Sequence, residues 1–578
     1  MEALKIVFPY LARHKLRIAV GAIAILIGTT FAVVQPYILR LAIDGLGRHF
    51  SIGSLTFDVL LYLGAAAGQS IFLFIQRSTV NRVSRFVEYD LRNDLFTHLQ
   101  GMDQSFFEGM HTGDLMARLT NDLSAVRQFL GQSLITLLST GIMLIYVVIL
   151  MLRISVHLAI IAFIVLPFVS LSIWQVGRSM QRRYRKVQDQ FGTISTYAQE
   201  NFSGVRVIKA FVQEDHEVEA FNRANREYVD RALSYQRVSG IMWPLMTFVM
   251  GIATALVLYV GGNEVSAGTI TIGEFVQFVA YLAMLTWPMI SLGWMLNLYQ
   301  QGAASAGRIV EVLDRRPRIR DSGRTLPPTT IEGRIEFRNV GVRRDDRWVF
   351  RDVSFTVEPG ESLAIVGMTG AGKSTLMSLV PRVLEPDEGE VLIDGIDVRR
   401  LPLARLREAV GYVPQDTFLF SATLAENTTF GVQDATREQI DEALAVSRLS
   451  KDLEHFPYGL ETLVGERGVS LSGGQKQRTA LARAVMRDPT ILILDDAMSS
   501  VDTNTQNEIL AGLRRVMEGR TTLITSMRIS TVKDADQIVV LHDGKIVERG
   551  RHQELLLADG LYARMYRREL LQQELEVE

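Results

Sequence analysis

Six stretches of this chain run without Asp, Glu, Lys or Arg for long enough to cross a bilayer: Ile18–Leu39, Val59–Gln76, Gly131–Leu152, Leu158–Gly177, Val238–Asn263 and Phe275–Gly307. A helical crossing takes about 20 predominantly apolar residues. One such run fits a buried helix of a soluble protein, but six before residue 308 of a 578-residue chain do not. Residues 1–313 therefore read as a helical transmembrane bundle of six spans. The first apolar run is too long for a cleaved signal segment and has no small-residue cleavage site, so it is expected to remain as a span.

The connections set the orientation. Those after the first, third and fifth spans are short, whereas Arg77–Leu130 and Arg178–Arg237 are long and carry most of the basic charge, as in "RSMQRRYRK" from Arg178 to Lys186. Lys and Arg favour the cytoplasmic side, which places both long loops, and the N-terminal "RHKLR", on the inner face of a bacterial-type plasma (inner) membrane. Helix-forming composition with almost no proline predicts that these loops are helices continuing far beyond the bilayer. A net charge of −2 gives no support for a nucleic-acid partner, and the absence of cysteine excludes disulfides and thiolate metal sites. In the sixth span Met284, Trp287, Ser291, Trp294 and Leu298 recur at helical spacing, with Pro288 expected to bend the helix. That face suits packing in the bundle, or a wall for an amphipathic substrate contacted by Met284, Trp287, Ser291 and Trp294. Ionisable groups are nearly absent from the spans, which argues against a proton relay.

Residues 314–332, with "DRRPRIRDSGRTLPPTT", form a polar linker. From 333 to 578, strand-length apolar runs alternate with helical ones, the pattern of an α/β domain. Within it "LAIVGMTGAGKSTLM" gives Gly367-x4-Gly372-Lys373-Ser374, a P-loop between a strand and a helix start. Backbone N–H groups from Thr369, Gly370 and Ala371 through Thr375 can hold phosphates. Lys373 reaches the β- and γ-phosphates, and the Ser374 hydroxyl binds Mg²⁺. In "ILILDD" a buried strand ends in Asp495, placed to hold Mg²⁺, and Asp496, where a general base or water-orienting group would sit. "LSGGQKQR", with Leu471, Ser472, Gly473, Gly474 and Gln475, opens a second helix suited to an anion. One ATP needs one cradle, so the second makes sense if it meets ATP held by another copy of the domain.

Taken together, the chain resembles a half-transporter of the ABC exporter family, six transmembrane helices fused to one nucleotide-binding domain, over essentially its whole length. "YVPQDTFLFSATLAENTTFG" resembles the family's Q-loop region with Gln415, "VGERG" at Val464–Gly468 its X-loop, and "SSVD" its D-loop ending in Asp502. "FFEGMHTGDLMARLTND" and "AQENFSGVRVIKAF" resemble the regions that form its two coupling helices, and "LHDGKIVERGRHQELL" its C-terminal end. The resemblance implies ATP and Mg²⁺ as cofactors, with Ser374, Gln415 and Asp495 at the metal. It also implies a head-to-tail pair of nucleotide domains, each ATP lying between one P-loop and the other signature.

Three departures from the family pattern fall on the P-loop side. Asp496 stands where a catalytic Glu is expected, and its shorter arm displaces the carboxylate by about 1 Å, an error that can cost roughly 10²-fold. Met527 stands at the switch His, and a thioether cannot donate to a phosphate oxygen. Arg344 aligns with the aromatic that stacks on adenine, with Trp348 as a second candidate. The resemblance then implies the degenerate-site half of a heterodimeric exporter. The partner would be a different half-transporter carrying the Glu and the His, and the cargo a hydrophobic or amphipathic small molecule, peptide or lipid. A homodimeric exporter or lipid flippase using Asp496 as a weak base is the alternative. A nucleotide-gated channel and a binding-protein-dependent importer fit less well.

Overall fold

The computed structural model describes residues 3–48, 51–321, 330–465, 468 and 471–577. Two compact units emerge: Met1–Gln100 with Thr112–Arg315, and Gly101–His111 with Arg316–Glu578. Residues 322–329 of the expected linker, and residues 466 and 467 of the X-loop segment, lie outside the described residues.

In the first unit long helices follow the apolar stretches: α1 (Lys15–Arg48), α2 (Ile52–Gln100), α4 (Thr112–Ile154), α5 (Val156–Ser203) and α7 (Glu214–Ser266). Four of them, α1, α2, α4 and α7, are each long and apolar enough to cross a membrane among the residues searched. α7 has 53 residues, about 80 Å of helix at 1.5 Å per residue, against about 30 Å of hydrocarbon. The long basic loops are thus helical continuations, as their composition leads one to expect. Lipid offers no hydrophobic drive between helices, so small residues set the close approaches. A Cβ on Gly68 of α2 would sit 3.0 Å from the Phe31 ring of α1.

The sixth stretch is not one bent helix. α8 (Ile272–Met284) and α9 (Thr286–Leu313) are separated at Leu285, whose N–H turns back to Tyr281 and Leu282. Pro288 has no N–H for the Met284 carbonyl and its ring crowds that carbonyl, so the interruption falls at Leu285, just after the residue four before the proline. α8 begins in a capping box, Thr271 with Glu274. The Asp44 carboxylate at the end of α1 accepts from the Thr271 hydroxyl at 2.7 Å and from the Gly273 N–H at 2.9 Å. α5 and α7 pack along each other, with Tyr184 against Tyr235 and Phe191 against Tyr228. Between them the short helix α6 (Val205–Ala210) exposes apolar side chains, and Phe202, Phe211 and Val212 beside it are each more than two-thirds exposed.

In the second unit α3 (Gln104–Glu108) lies with two sheets. β1 (Ile335–Arg344), β2 (Arg347–Val357), β4 (Glu388–Ile393) and β5 (Ile396–Asp397) form an antiparallel sheet in the order β2-β1-β4-β5. The other sheet contains β3 (Ser362–Val366), β6 (Val410–Val413), β7 (Ile491–Asp495), β8 (Thr521–Ser526), β9 (Gln537–His542) and β10 (Lys545–Gly550). Its order is β10-β9-β3-β8-β7-β6, parallel except for the β10 edge. Strands β3, β7 and β8 are buried at every residue, which is why they read as unbroken apolar or small runs rather than alternating ones. One core, with Phe337, Phe350, Ile365 and Ile493, lies between the sheets. The other, with Leu494, Ile509 and Leu513, packs the opposite face of the parallel sheet on α11 (Gly473–Met486) and α12 (Thr503–Met517). Each such Leu or Ile contributes about 1.5–3 kcal/mol by leaving water.

Candidate functional site

The parallel order brings four strand ends side by side, and ligands of such sheets bind at those carboxyl ends. β3 delivers the P-loop, β8 delivers Met527, β7 delivers Asp495 and Asp496, and β6 leads to Gln415. Register fixes their level: Val366 pairs with Ser526, and Asp495 with Thr525. Segments more than a hundred residues apart thus converge on one spot.

The loop from Gly367 to Gly372 enters α10 (Lys373–Leu379) with Gly372 in the left-handed region at φ 93°. A Cβ there would stand 2.8 Å from Val349, and one on Gly367 would stand 2.4 Å from the Leu541 carbonyl. Gly372 is thus demanded both by backbone conformation and by close approach, and Gly367 by close approach alone. Gly370 is also at positive φ, Ala371 packs against the core, and Thr375 follows Ser374 in the first turn of α10. The Lys373 ammonium donates to the carbonyls of Gly367 at 2.8 Å and Met368 at 3.0 Å. Burial pushes its pKa below the usual lysine range, with Asp496 and Asp495 pulling it back up. A bound triphosphate would replace those carbonyls as the ammonium's partner.

Three oxygen donors meet next to it. The Ser374 hydroxyl lies 3.1 Å from an Asp495 carboxylate oxygen and 3.5 Å from the Gln415 amide oxygen. Hydroxyl, carboxylate and amide oxygens are the hard ligands Mg²⁺ takes, alongside phosphate oxygens and water, so the donor set fits that ion. The Thr525 hydroxyl adds a bond of 2.6 Å to the same Asp495 oxygen. It also accepts from the Asp496 N–H at 3.0 Å. Sequence reading missed Thr525, because nothing in "LITS" shows which strand lies beside it.

Asp496 is held at φ 47°, a conformation rare for side-chain-bearing residues, by its N–H bonds to Thr525. Burial raises the pKa of its carboxyl; Lys373 opposes this, Asp495 adds to it, and the Met527 N–H facing the carboxylate lowers it again. Asp496 and Met527 line one cleft of about 170 Å³ together with Ser526, Gln506 and Arg528. The Met527 sulfur lies 3.9 Å from the Thr369 hydroxyl of the P-loop.

The segment Leu471–Gln475 sits elsewhere on the same unit. Ser472 caps α11 through a reciprocal box with Gln475, leaving the N–H groups of Gly473 and Gly474 at a free helix start. Leu471 anchors it in a cluster with Leu419 and Leu449. Gln477, one turn into α11, donates to Ser499 at 2.8 Å and accepts from the Ser500 N–H at 2.9 Å. That ties the helix to the loop ending at Asp502, which caps α12 through the Thr505 N–H. The role of Gln477 was likewise invisible in the sequence, since its partners lie 22 and 23 residues away.

The expected substrate contacts divide. Trp287 and Trp294 are exposed and line one cavity of about 300 Å³ with Gln69, Gln76, Arg77 and Thr140. Met284 packs against the core formed by Phe278, Tyr281 and Leu282. Ser291 is buried and donates to the Pro288 carbonyl. Near the nucleotide unit's hairpin tip, Arg344 is bonded to Glu108 rather than free, and Trp348 has the Arg343 and Arg351 guanidinium groups over its ring.

Two family models match: "ABC transporter transmembrane region" over residues 18–289 and "ABC transporter" over residues 350–499. A probable multidrug resistance ABC transporter ATP-binding/permease protein of Bacillus subtilis is 36% identical over 96% of each chain. An ATP-dependent lipid A-core flippase of Syntrophus aciditrophicus is also 36% identical, over 96% of this chain and 92% of its own. The solved structure of a bacterial Atm1-family ABC exporter with ATP bound superposes with a TM-score of 0.79 at 28% identity, over 96% of this chain and 98% of that one. A transmembrane region and an ATP-binding domain fused in one chain, with exporter relatives along its whole length, place this protein in the ABC transporter family as a multi-pass membrane exporter with a cytoplasmic nucleotide-binding domain.

Proposed function

We propose that this chain is the degenerate-site half of a heterodimeric ABC exporter. It would bind Mg²⁺-ATP at its own P-loop and hydrolyse it poorly, while lending its signature to a competent site on a different half-transporter. The observation carrying this reading is that two of the three departures from the family pattern, Asp496 and Met527, line one cleft beside an otherwise complete set of phosphate and Mg²⁺ groups. Substitutions that drifted independently have no reason to be neighbours at the attacking-water side of one site.

ATP drives the cycle through its different affinity for separated and closed nucleotide domains. In the closed state Lys373 would exchange its loop carbonyls for phosphate oxygens, and Ser374, Gln415 and Asp495 would hold Mg²⁺, which would supply charge neutralisation. Arg344, at the β1–β2 tip, would meet the base. Ser472, Gly473, Gly474 and Gln475 meet the partner's ATP, where the partner's Glu orients water. Helices α3 and α6 pass closure to the membrane helices, and the exposed Phe202, Phe211 and Val212 are covered by the partner's nucleotide domain. The cargo is amphipathic, seated against Trp287 and Trp294. Relatives named for lipid A-core and for multidrug resistance support a lipid or hydrophobic drug-like class.

Restoring the two missing groups tests this. The Asp496→Glu/Met527→His variant of the purified chain in nanodiscs is expected to gain at least about 10²-fold in steady-state ATP hydrolysis. A native chain already as fast as the double variant contradicts the reading and makes it a homodimeric pump.

A further inference from the structure

The β1–β2 hairpin tip is built to present Arg344. Asp345 and Asp346 both take positive φ, 47° and 60°, the geometry of a tight two-residue turn matched to strand twist. Arg344 and Arg347 close it as the last paired residues. Further down the same strand, Val349 and Phe350 pack against the P-loop at Gly372, so the tip stands beside the phosphate cradle. Of the two side chains able to meet a base there, Trp348 is already engaged. It lies over Gly341, with Arg343 and Arg351 guanidinium carbons 5.2 and 4.7 Å from its ring. Arg351 is in turn fixed by two bonds to Glu388.

Arg344 has a different constraint. Its guanidinium donates to the Glu108 carboxylate at 3.0 Å, across 236 residues of sequence, and both side chains are substantially exposed. Glu108 closes α3, and α3 is tied to the nucleotide unit a second time, where Asp103 accepts from the Arg318 N–H at 3.0 Å. A purine over the P-loop and Glu108 on α3 would draw on the same guanidinium.

We infer that Arg344 is the base-contacting residue of this site and that Glu108 competes with the nucleotide base for it. The inference rests on the proposed placement of the base at Arg344. Base binding releases α3 from the hairpin tip, and by linkage whatever holds α3 on the tip weakens ATP to the same factor. α3 joins α2 to α4 along the chain, so the release reports the nucleotide to the connection between two membrane helices. An aromatic residue at this position would bind the base without consulting α3. The exchange of ring for guanidinium thus gains a contact that the nucleotide can break.

The experiment is a double-mutant cycle on the full chain in nanodiscs: Glu108→Gln, Arg344→Gln and both, titrated with Mg²⁺-ATP and with Mg²⁺-tripolyphosphate, which has no base. Unfolding temperatures check that each variant folds, and Glu108→Ala repeats the test without a residual amide bond. Glu108→Gln is expected to tighten ATP about two- to five-fold, the factor that releasing an exposed ion pair allows, and to leave tripolyphosphate unchanged. Arg344→Gln is expected to weaken ATP alone and to abolish the effect of the Glu108 change. If Arg344→Gln weakens ATP while Glu108→Gln does nothing, or shifts both ligands equally, the competition is refuted and the base placement stands. If neither substitution separates ATP from tripolyphosphate, the placement of the base at Arg344 falls as well.

Discussion

Asp496 carries more of the story than any other side chain. It is buried beside Asp495 at the end of β7, and burial raises its pKa from the usual 3.8. The sign of the consequence follows from linkage. Between the unfolded and the raised folded value, the native state binds more protons than the unfolded one, so stability falls as pH rises through that window. Asp496→Asn has no such charge to bury. In the nucleotide-free chain its unfolding temperature is therefore expected to match the native protein's at pH 4 and to exceed it by pH 7, read by intrinsic fluorescence. A constant difference across that range would mean that the carboxyl titrates normally. On the proposed reading Met527 adds the complementary deficit, its sulfur lying 3.9 Å from Thr369 where a ring N–H would reach phosphate. The motif residues Lys373, Ser374 and Ser472 were legible because each motif is contiguous in sequence and its chemistry is local. Thr525, Gln477 and Glu108 were not, because what they do depends on which strand or helix lies opposite.

At the scale of elements, the apolar runs and the long basic loops predicted the helices well, since bilayer thickness and charge bias act on composition alone. The sixth span shows the limit of periodicity. Five positions at helical spacing looked like one face, but the interruption at Leu285 ahead of Pro288 places Met284 on α8 and the two tryptophans on α9. Met284 packs inward while Trp287 and Trp294 meet a cavity that also contains the buried Gln76. A proline's effect on the carbonyl four residues earlier is a local rule; which way each half then turns is set by packing that no single segment encodes. Trp287→Ala and Trp294→Ala are expected to weaken the cargo's effect on ATPase rate or its transport by about 2- to 10-fold each, the worth of an aromatic contact beyond area, with ATP affinity unchanged. Full transport in the double variant would remove this wall from the substrate path.

For the whole molecule, the division of labour matters more than any contact. The first unit exposes apolar side chains around α6, and the second presents a capped signature helix. Among the described residues the side-chain hydrogen bonds of Ser472 and Gln475 stay within its first turn or run to Asp452. On the proposed reading both surfaces are covered by a second half-transporter. The measurement that tests the central claim most directly is ATP occupancy and steady-state hydrolysis of the purified native chain, beside its Asp496→Asn variant, in nanodiscs. ATP is expected to be retained at one site per chain, with turnover indistinguishable from that of Asp496→Asn. Rapid turnover that Asp496→Asn abolishes would contradict the claim, and would make Asp496 a working base in a homodimer.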